Sequence, residues 1–313
     1  MKRIKLFLML SLLVLPSLGE IGGAVSFAQT PYLSNQSLPY MPVKLDVLFI
    51  GNSFSIDTSA LLPDILSSMG INTVNVYVLY KGGCSMRQHY EYFKSDKAVY
   101  DFYQYNSRGT TKLDGSITIR EAMRRVPYDV VVFQQYSLES GNYTSYEPYL
   151  SRIIQAFRLV TTSPRTTFAF NQTWAYASTH KEIGKTYPTQ ESMWRQIVQS
   201  VQKMRANSGI DLIIPCGTAI QNARAANKTF QQNNEFCRDG QHLDNYMGRY
   251  VAACTFFESI IGPAMGRSIR DDFSIIGKSS DPNQVNNKNR RLLQNCARLA
   301  VANQNVISEF AGQ

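Results

Sequence analysis

Histidine and tryptophan are scarce in this chain: three and two residues among 313. None of the cysteines stands in a C-x-x-C or C-x-x-H spacing, which excludes the common zinc modules and thioredoxin-like redox pairs. No apolar run beyond the N-terminus is long enough to cross a bilayer. Internal repeats and low-complexity tracts are also missing. Charge is sparse, at 18% of residues, and the net +9 is scattered. Arg124, Arg125, Arg290 and Arg291 form no stripe interleaved with aromatics. A nucleic-acid partner is therefore not expected, whereas an acidic polysaccharide is compatible with the charge.

What is present begins with an export pattern. Lys2, Arg3 and Lys5 precede an apolar core from Leu6 to Leu18, and Ser26-Phe27-Ala28 places small residues before a cleavage point. That order is a secretory signal peptide over residues 1–28, with an uncleaved anchor as the alternative. The cleaved protein is then expected in the periplasm or secreted, with no stable membrane insertion. No cysteine follows the apolar core, so the lipoprotein variant is excluded. Residues 29–44 are polar and aperiodic and read as an N-terminal arm. Residues 45–313 read as a single domain, large enough for a full core without staples. Its cysteines, Cys84, Cys216, Cys237, Cys254 and Cys296, are odd in number, and their pairing stays open. So does the oligomeric state.

Apolar runs of strand length occur at Leu45–Ile50, Val74–Leu79, Val130–Phe133, Thr167–Phe170 and Leu212–Ile214. They are continuous rather than alternating, as in strands buried on both faces of a parallel sheet. Segments with helical spacing lie between and after them: 59–69, 86–103, 146–160, 190–207, 219–230, 245–261 and 287–310. In one of these Met193, Ile197, Val201 and Met204 share a helix face. Strands alternating with helices predict a three-layer α/β/α sandwich around a doubly wound, mainly five-stranded parallel sheet. Residues 262–287, rich in Gly, Pro, Asp and Asn, read as a long loop.

Sites in such sheets form at the C-terminal strand ends. The first strand runs into Gly51-Asn52-Ser53-Phe54-Ser55, which presents Ser53 where strand gives way to helix. Ser53 is a candidate nucleophile; capping of the helix by Ser53 or Ser55 is the alternative. A serine needs a base, and the choice is among three histidines. His89 lies in an amphipathic helix, and His180 in a polar loop where substrate contact is conceivable. His242 follows Asp239-Gly240-Gln241, so the Asp239 carboxylate can curl back to the imidazole Nδ1–H. That leaves Nε2 free to take the serine proton. Asp244 is the cap candidate for the next helix.

Gly51-Asn52-Ser53-Phe54-Ser55 and Asp239-Gly240-Gln241-His242-Leu243 resemble the first and last blocks of the SGNH (GDSL-like) hydrolases. The resemblance spans roughly residues 45–262 and implies their flavodoxin-like fold. It is closest to an exported carbohydrate-esterase-like branch with G-N-S in place of G-D-S. It implies an esterase with Ser53 as nucleophile, His242 as base and Asp239 as orienter. The family's second block implies Gly83, in Tyr80-Lys81-Gly82-Gly83-Cys84, as a backbone oxyanion donor beside Ser53. Cys84 then reads as a packing residue. The third block, G-x-N-D, is missing; Gln134-Gln135-Tyr136 stands there. Because strand side chains alternate faces, one glutamine at most reaches the cleft, and Gln135 is expected to replace the absent Asn. Tying loop backbones together is the alternative for both glutamines.

Trp174 and Tyr176, past the fourth strand, are candidate sugar-stacking residues, with His180 nearby in sequence; core packing is the alternative. No metal or organic cofactor is required by this chemistry. These readings together predict an exported serine esterase that removes a small acyl group, acetyl above all, from a carbohydrate. A non-catalytic carbohydrate-binding relative and an acyltransferase with the same triad are the competing classes.

Overall fold

In the computed structural model, residues 44–310 are described, apart from 107–108, 162, 227–234, 273 and 275–283. The expected leader, and the arm as far as residue 43, lie outside the described residues. Five strands match the apolar runs: β1 (Leu45–Gly51), β2 (Val74–Tyr80), β5 (Val130–Phe133), β6 (Thr167–Asn171) and β7 (Leu212–Ile214). They pair in parallel in the order β2-β1-β5-β6-β7. Every residue of β1 and β5 is buried, which is why their sequences show no polar alternation.

Two strands escape the apolar-run reading. The helix expected over residues 86–103 is α3 (Met86–Lys94), held at its start by a capping box between Ser85 and Gln88. It stops there, and Tyr100–Asn106 is instead β3, antiparallel to β2. Tyr100, Phe102 and Tyr105 are buried in β3, whereas Asp101, Tyr103 and Gln104 are not. Strand β4 (Gly109–Ile117) then pairs with β3 and completes a seven-stranded mixed sheet, with the parallel core as expected.

Helices cover both faces. Phe49 of β1 meets Phe256 of α8 (Met247–Phe256), with ring centroids 5.3 Å apart. Phe133, paired in register with Ile50 and so on the opposite face, stacks at 5.5 Å on Phe157 of α5 (Tyr149–Val160). The first covering layer includes α1 (Ser53–Ser59), α2 (Leu62–Ser68), α7 (Cys216–Ala225) and α9 (Arg290–Ala302). The second includes α3, α4 (Ile119–Arg125) and α6 (Gln190–Ser208). Helix α8 continues as a π-turn over Phe257–Ile261, and the expected loop beyond contains a helical turn at Gly262–Met265 and a 3₁₀ turn at Ile269–Asp271. All five cysteines are buried and unpaired, so the core holds without disulfides.

Candidate active site

Strand β1 ends at Gly51, and the chain turns at once into α1. The turn tolerates no side chain at Gly51: a Cβ there would lie 2.3 Å from Ser55 Oγ and 2.9 Å from Gln134 Cγ. Asn52 is the N-cap, its Oδ1 accepting from the Phe54 N–H at 3.1 Å. Ser55 donates to Gln134 Oε1 at 3.0 Å. Neither serine of the motif is therefore the cap. Ser53, half-buried, is left with its hydroxyl 2.8 Å from His242 Nε2.

The partner loop is a tight hairpin. Arg238 N–H donates to His242 O at 2.8 Å and Asp244 N–H to Phe236 O at 2.9 Å, with Cys237 bridged to Leu243. Gly240 makes the turn with φ +85°, a conformation costly for residues with a Cβ. Asp239 lies 2.6 Å from His242 Nδ1 through Oδ2, while its Oδ1 accepts the N–H groups of His242 and Gln241 at 2.7 and 3.1 Å. Burial alone would raise the Asp239 pKa, but the His242 N–H, the imidazole and the Gln241 N–H hold it below the usual carboxylate value. An ionised Asp239 accepts Nδ1–H, so the neutral imidazole presents an unprotonated Nε2 to Ser53. Asp244 caps the following helix, accepting from Tyr246 and Gly248 N–H groups at 2.9 and 3.1 Å.

The second strand end is fastened beside the serine. Lys81 N–H donates to Gly51 O at 2.9 Å, and Asn52 Nδ2 donates to Cys84 O at 3.2 Å. The Gly82-Gly83 loop is thus tied on both sides to the turn that carries Ser53. Cys84 itself is buried, and burial pushes its thiol up to about 12, so it is no second nucleophile.

The third strand end corrects an expectation. Gln135 does not face the cleft: it is fully buried, and its amide donates to Ser145 O and Ser145 Oγ, both at 2.8 Å. Its carbonyl accepts from Met86 N–H at 2.9 Å and Tyr136 N–H at 2.7 Å. With both amide hydrogens engaged, Gln135 has none for an oxyanion. The strand alternation sends Gln134 the other way, against the turn that carries Ser53. There its Nε2 donates to Asn52 Oδ1 at 2.6 Å. Both glutamines brace backbone or cap.

One of the aromatic candidates is corrected as well. Trp174 is fully buried, stacked on Phe54 at 4.3 Å, and its Nε1–H donates to Gln241 O at 2.7 Å. It supports the histidine loop from beneath and offers no face to a sugar. Tyr176 is also buried, with its hydroxyl 2.8 Å from Ser137 Oγ and its ring 4.2 Å from His180. His180 and Tyr176 border a cavity of ≈ 300 Å³ together with Tyr136, Lys181, Glu182 and Asp239. Burial lowers the His180 pKa, and its Nδ1 accepts from the Glu182 N–H at 3.3 Å. His89 is buried against Tyr100, 2.8 Å from its hydroxyl, and desolvation lowers its pKa to about 3. A larger cavity of ≈ 640 Å³ lies by α6 and the C-terminal segment, but no histidine lines it.

Two further residues, one inside the first motif and one outside any motif, build the site. Asn52 uses both ends of its amide, accepting at Oδ1 and donating from Nδ2, which a carboxylate cannot do. Asp57 is fully buried and meets Arg238, Arg249 and the Leu243 N–H. The only sequence signal for Asp57 is its place four residues after Ser53, on the same helix face.

A family model described as "Domain of unknown function (DUF4886)" matches residues 46–300. The chain is similar to a DUF4886 family protein from Bacteroides uniformis, at 32% identity and TM-score 0.74, covering 85% of this chain and 98% of that one. More distantly it resembles a candidate SGNH hydrolase from Slackia heliotrinireducens, at 18% identity and TM-score 0.48, over 69% and 98% of the two chains. An acetyl xylan esterase from Geobacillus stearothermophilus is similar at 11% identity and TM-score 0.42, over 70% and 96%. No curated protein matches the sequence.

Proposed function

We propose that this chain, which belongs to the DUF4886 family, is an exported serine esterase that removes a small acyl group, acetyl above all, from a carbohydrate. The observation that carries the reading is the unbroken relay Ser53 Oγ–His242 Nε2 at 2.8 Å and His242 Nδ1–Asp239 at 2.6 Å. In that geometry Ser53 Oγ attacks the ester carbonyl carbon while its proton passes to His242 Nε2. The imidazolium is held by ionised Asp239. Collapse of the tetrahedral intermediate expels the sugar alkoxide, which takes the proton from Nε2. Water repeats the sequence on the acyl-enzyme and releases the acid.

Developing charge on the carbonyl oxygen needs donors. With the Gln135 amide committed elsewhere, the backbone N–H groups of Ser53 and Gly83 are the donors we assign. Loss of one such donor typically raises the barrier by about 3–4 kcal/mol. The export reading is supported by the basic, apolar and small-residue order at the N-terminus, and the carbohydrate reading by the ≈ 300 Å³ cavity beside Asp239. Its rim of Tyr136, His180, Lys181 and Glu182 suits hydroxyl-rich ligands better than a fatty chain. The test is hydrolysis of a soluble chromogenic acetyl ester, followed by a panel of acetylated and methyl-esterified polysaccharides. Acetate release that Ser53→Ala abolishes is expected; wild-type protein inert on every ester would refute the reading.

A further inference from the structure

Helix α1 carries more than the nucleophile. Asp57 stands one turn after Ser53 and is fully buried. Its Oδ1 accepts from Arg238 Nη1 at 3.0 Å and from Arg249 Nε and Nη2 at 2.9 and 2.8 Å. Its Oδ2 accepts the backbone N–H of Leu243 at 2.9 Å. Arg238 directly precedes Asp239 and Leu243 directly follows His242, and the Arg238 guanidinium also donates to Leu243 O. One carboxylate therefore fastens both ends of the segment that holds base and orienter. It does so from the helix that holds the nucleophile.

The charges make that grip strong. Two guanidinium groups, their side chains 35% and 20% exposed, converge on one carboxylate withdrawn from solvent. Charge-assisted bonds of this kind are shorter and stronger than neutral ones. Arg249 brings in α8 as a third body, so the hairpin, α1 and α8 meet at a single point. A misplacement of about 1 Å between nucleophile and base costs on the order of a hundredfold in rate.

We infer that Asp57 is the positioning residue of the active site: it fixes the Ser53 Oγ–His242 Nε2 separation and acts on turnover through that distance. The kinetic part rests on the esterase reading; the geometric part does not. Asp57→Asn keeps one acceptor and removes the charge. Arg249→Lys keeps a charge and removes the paired bonds, and serves where the first variant folds poorly. Asn222→Ala is the control. Asn222 is buried and bonded to Cys296 O and Ser308 N–H, and it shares no hydrogen bond with Ser53, Asp239 or His242, so its substitution should lower thermal stability alone.

Steady-state hydrolysis of a chromogenic acetyl ester should show kcat reduced about a hundredfold in Asp57→Asn and roughly tenfold in Arg249→Lys, with KM within threefold of wild type. Asn222→Ala should lose melting temperature and keep kcat. Crystal structures of the variants supply the arm that needs no activity: the Ser53–His242 contact should open beyond hydrogen-bond distance in Asp57→Asn. A retained contact near 2.8 Å, or kcat unchanged in a folded Asp57→Asn, overturns the inference. Wild-type protein without esterase turnover would refute the esterase reading instead, and the structural arm would still decide the role of Asp57.

Discussion

Asn52→Asp would restore the aspartate that the G-D-S pattern carries, and the geometry predicts that it weakens this protein. Asn52 is 1% exposed and uses three hydrogen bonds. It accepts from Phe54 N–H and Gln134 Nε2, and it donates to Cys84 O at 3.2 Å. A carboxylate keeps the two acceptances and cannot donate. The Cys84 carbonyl then faces an anion and loses its partner. Leaving that buried carbonyl unsatisfied costs about 1–3 kcal/mol. For a domain of this size that corresponds to roughly 2–5 °C in Tm.

The loss also has a pH signature. Protonation returns a donor to the introduced carboxyl, so its pKa in the folded state is raised above its unfolded value. Stability held by such a group is present at low pH and lost as pH rises through the folded pKa. Thermal unfolding of wild type and Asn52→Asp should therefore differ most near pH 8 and converge toward pH 4. Equal melting at pH 8, or a deficit independent of pH, would refute the role given to the Cys84 contact.

Two further outcomes follow from buried groups. Because folding lowers the His89 pKa from 6.5 to about 3, the unfolded chain binds a proton that the folded one refuses below pH 6.5. That site's contribution to stability should fall by about 2 kcal/mol between pH 7.5 and pH 5, and His89→Gln should flatten the slope seen in denaturant titrations; an unchanged slope contradicts it. Gln135→Ala should cost roughly 2–4 kcal/mol by stranding the Met86 and Tyr136 N–H groups, with kcat within a few-fold in the folded fraction. A large kcat loss without destabilisation would return Gln135 to the oxyanion hole.

The parallel core was legible because doubly buried strands leave unbroken apolar runs, as β1 and β5 do. Strand β3 was not, because its aromatic-rich sequence prolongs the helical period of α3 and only its burial pattern separates the two. Strand β4 is an almost wholly exposed edge, with no apolar pattern to detect. At the site, Asp239 and His242 were readable because three residues of one loop suffice to join them. Trp174 and Gln135 were misread for one reason: sequence places a side chain at a strand end but does not say whether it turns outward or under the loop. For Asp57 the spacing from Ser53 is too weak a signal, since its partners lie far along the chain and meet it only through the fold.

The central claim is that Ser53 is a nucleophile activated by His242. A fluorophosphonate reacts with such a serine by losing fluoride, leaving a stable adduct that peptide mass mapping can locate. The account predicts stoichiometric labelling on the peptide containing Ser53, and labelling slowed at least a hundredfold in His242→Ala. Modification at any other serine, or an equal rate on Ser53 in His242→Ala, would contradict it.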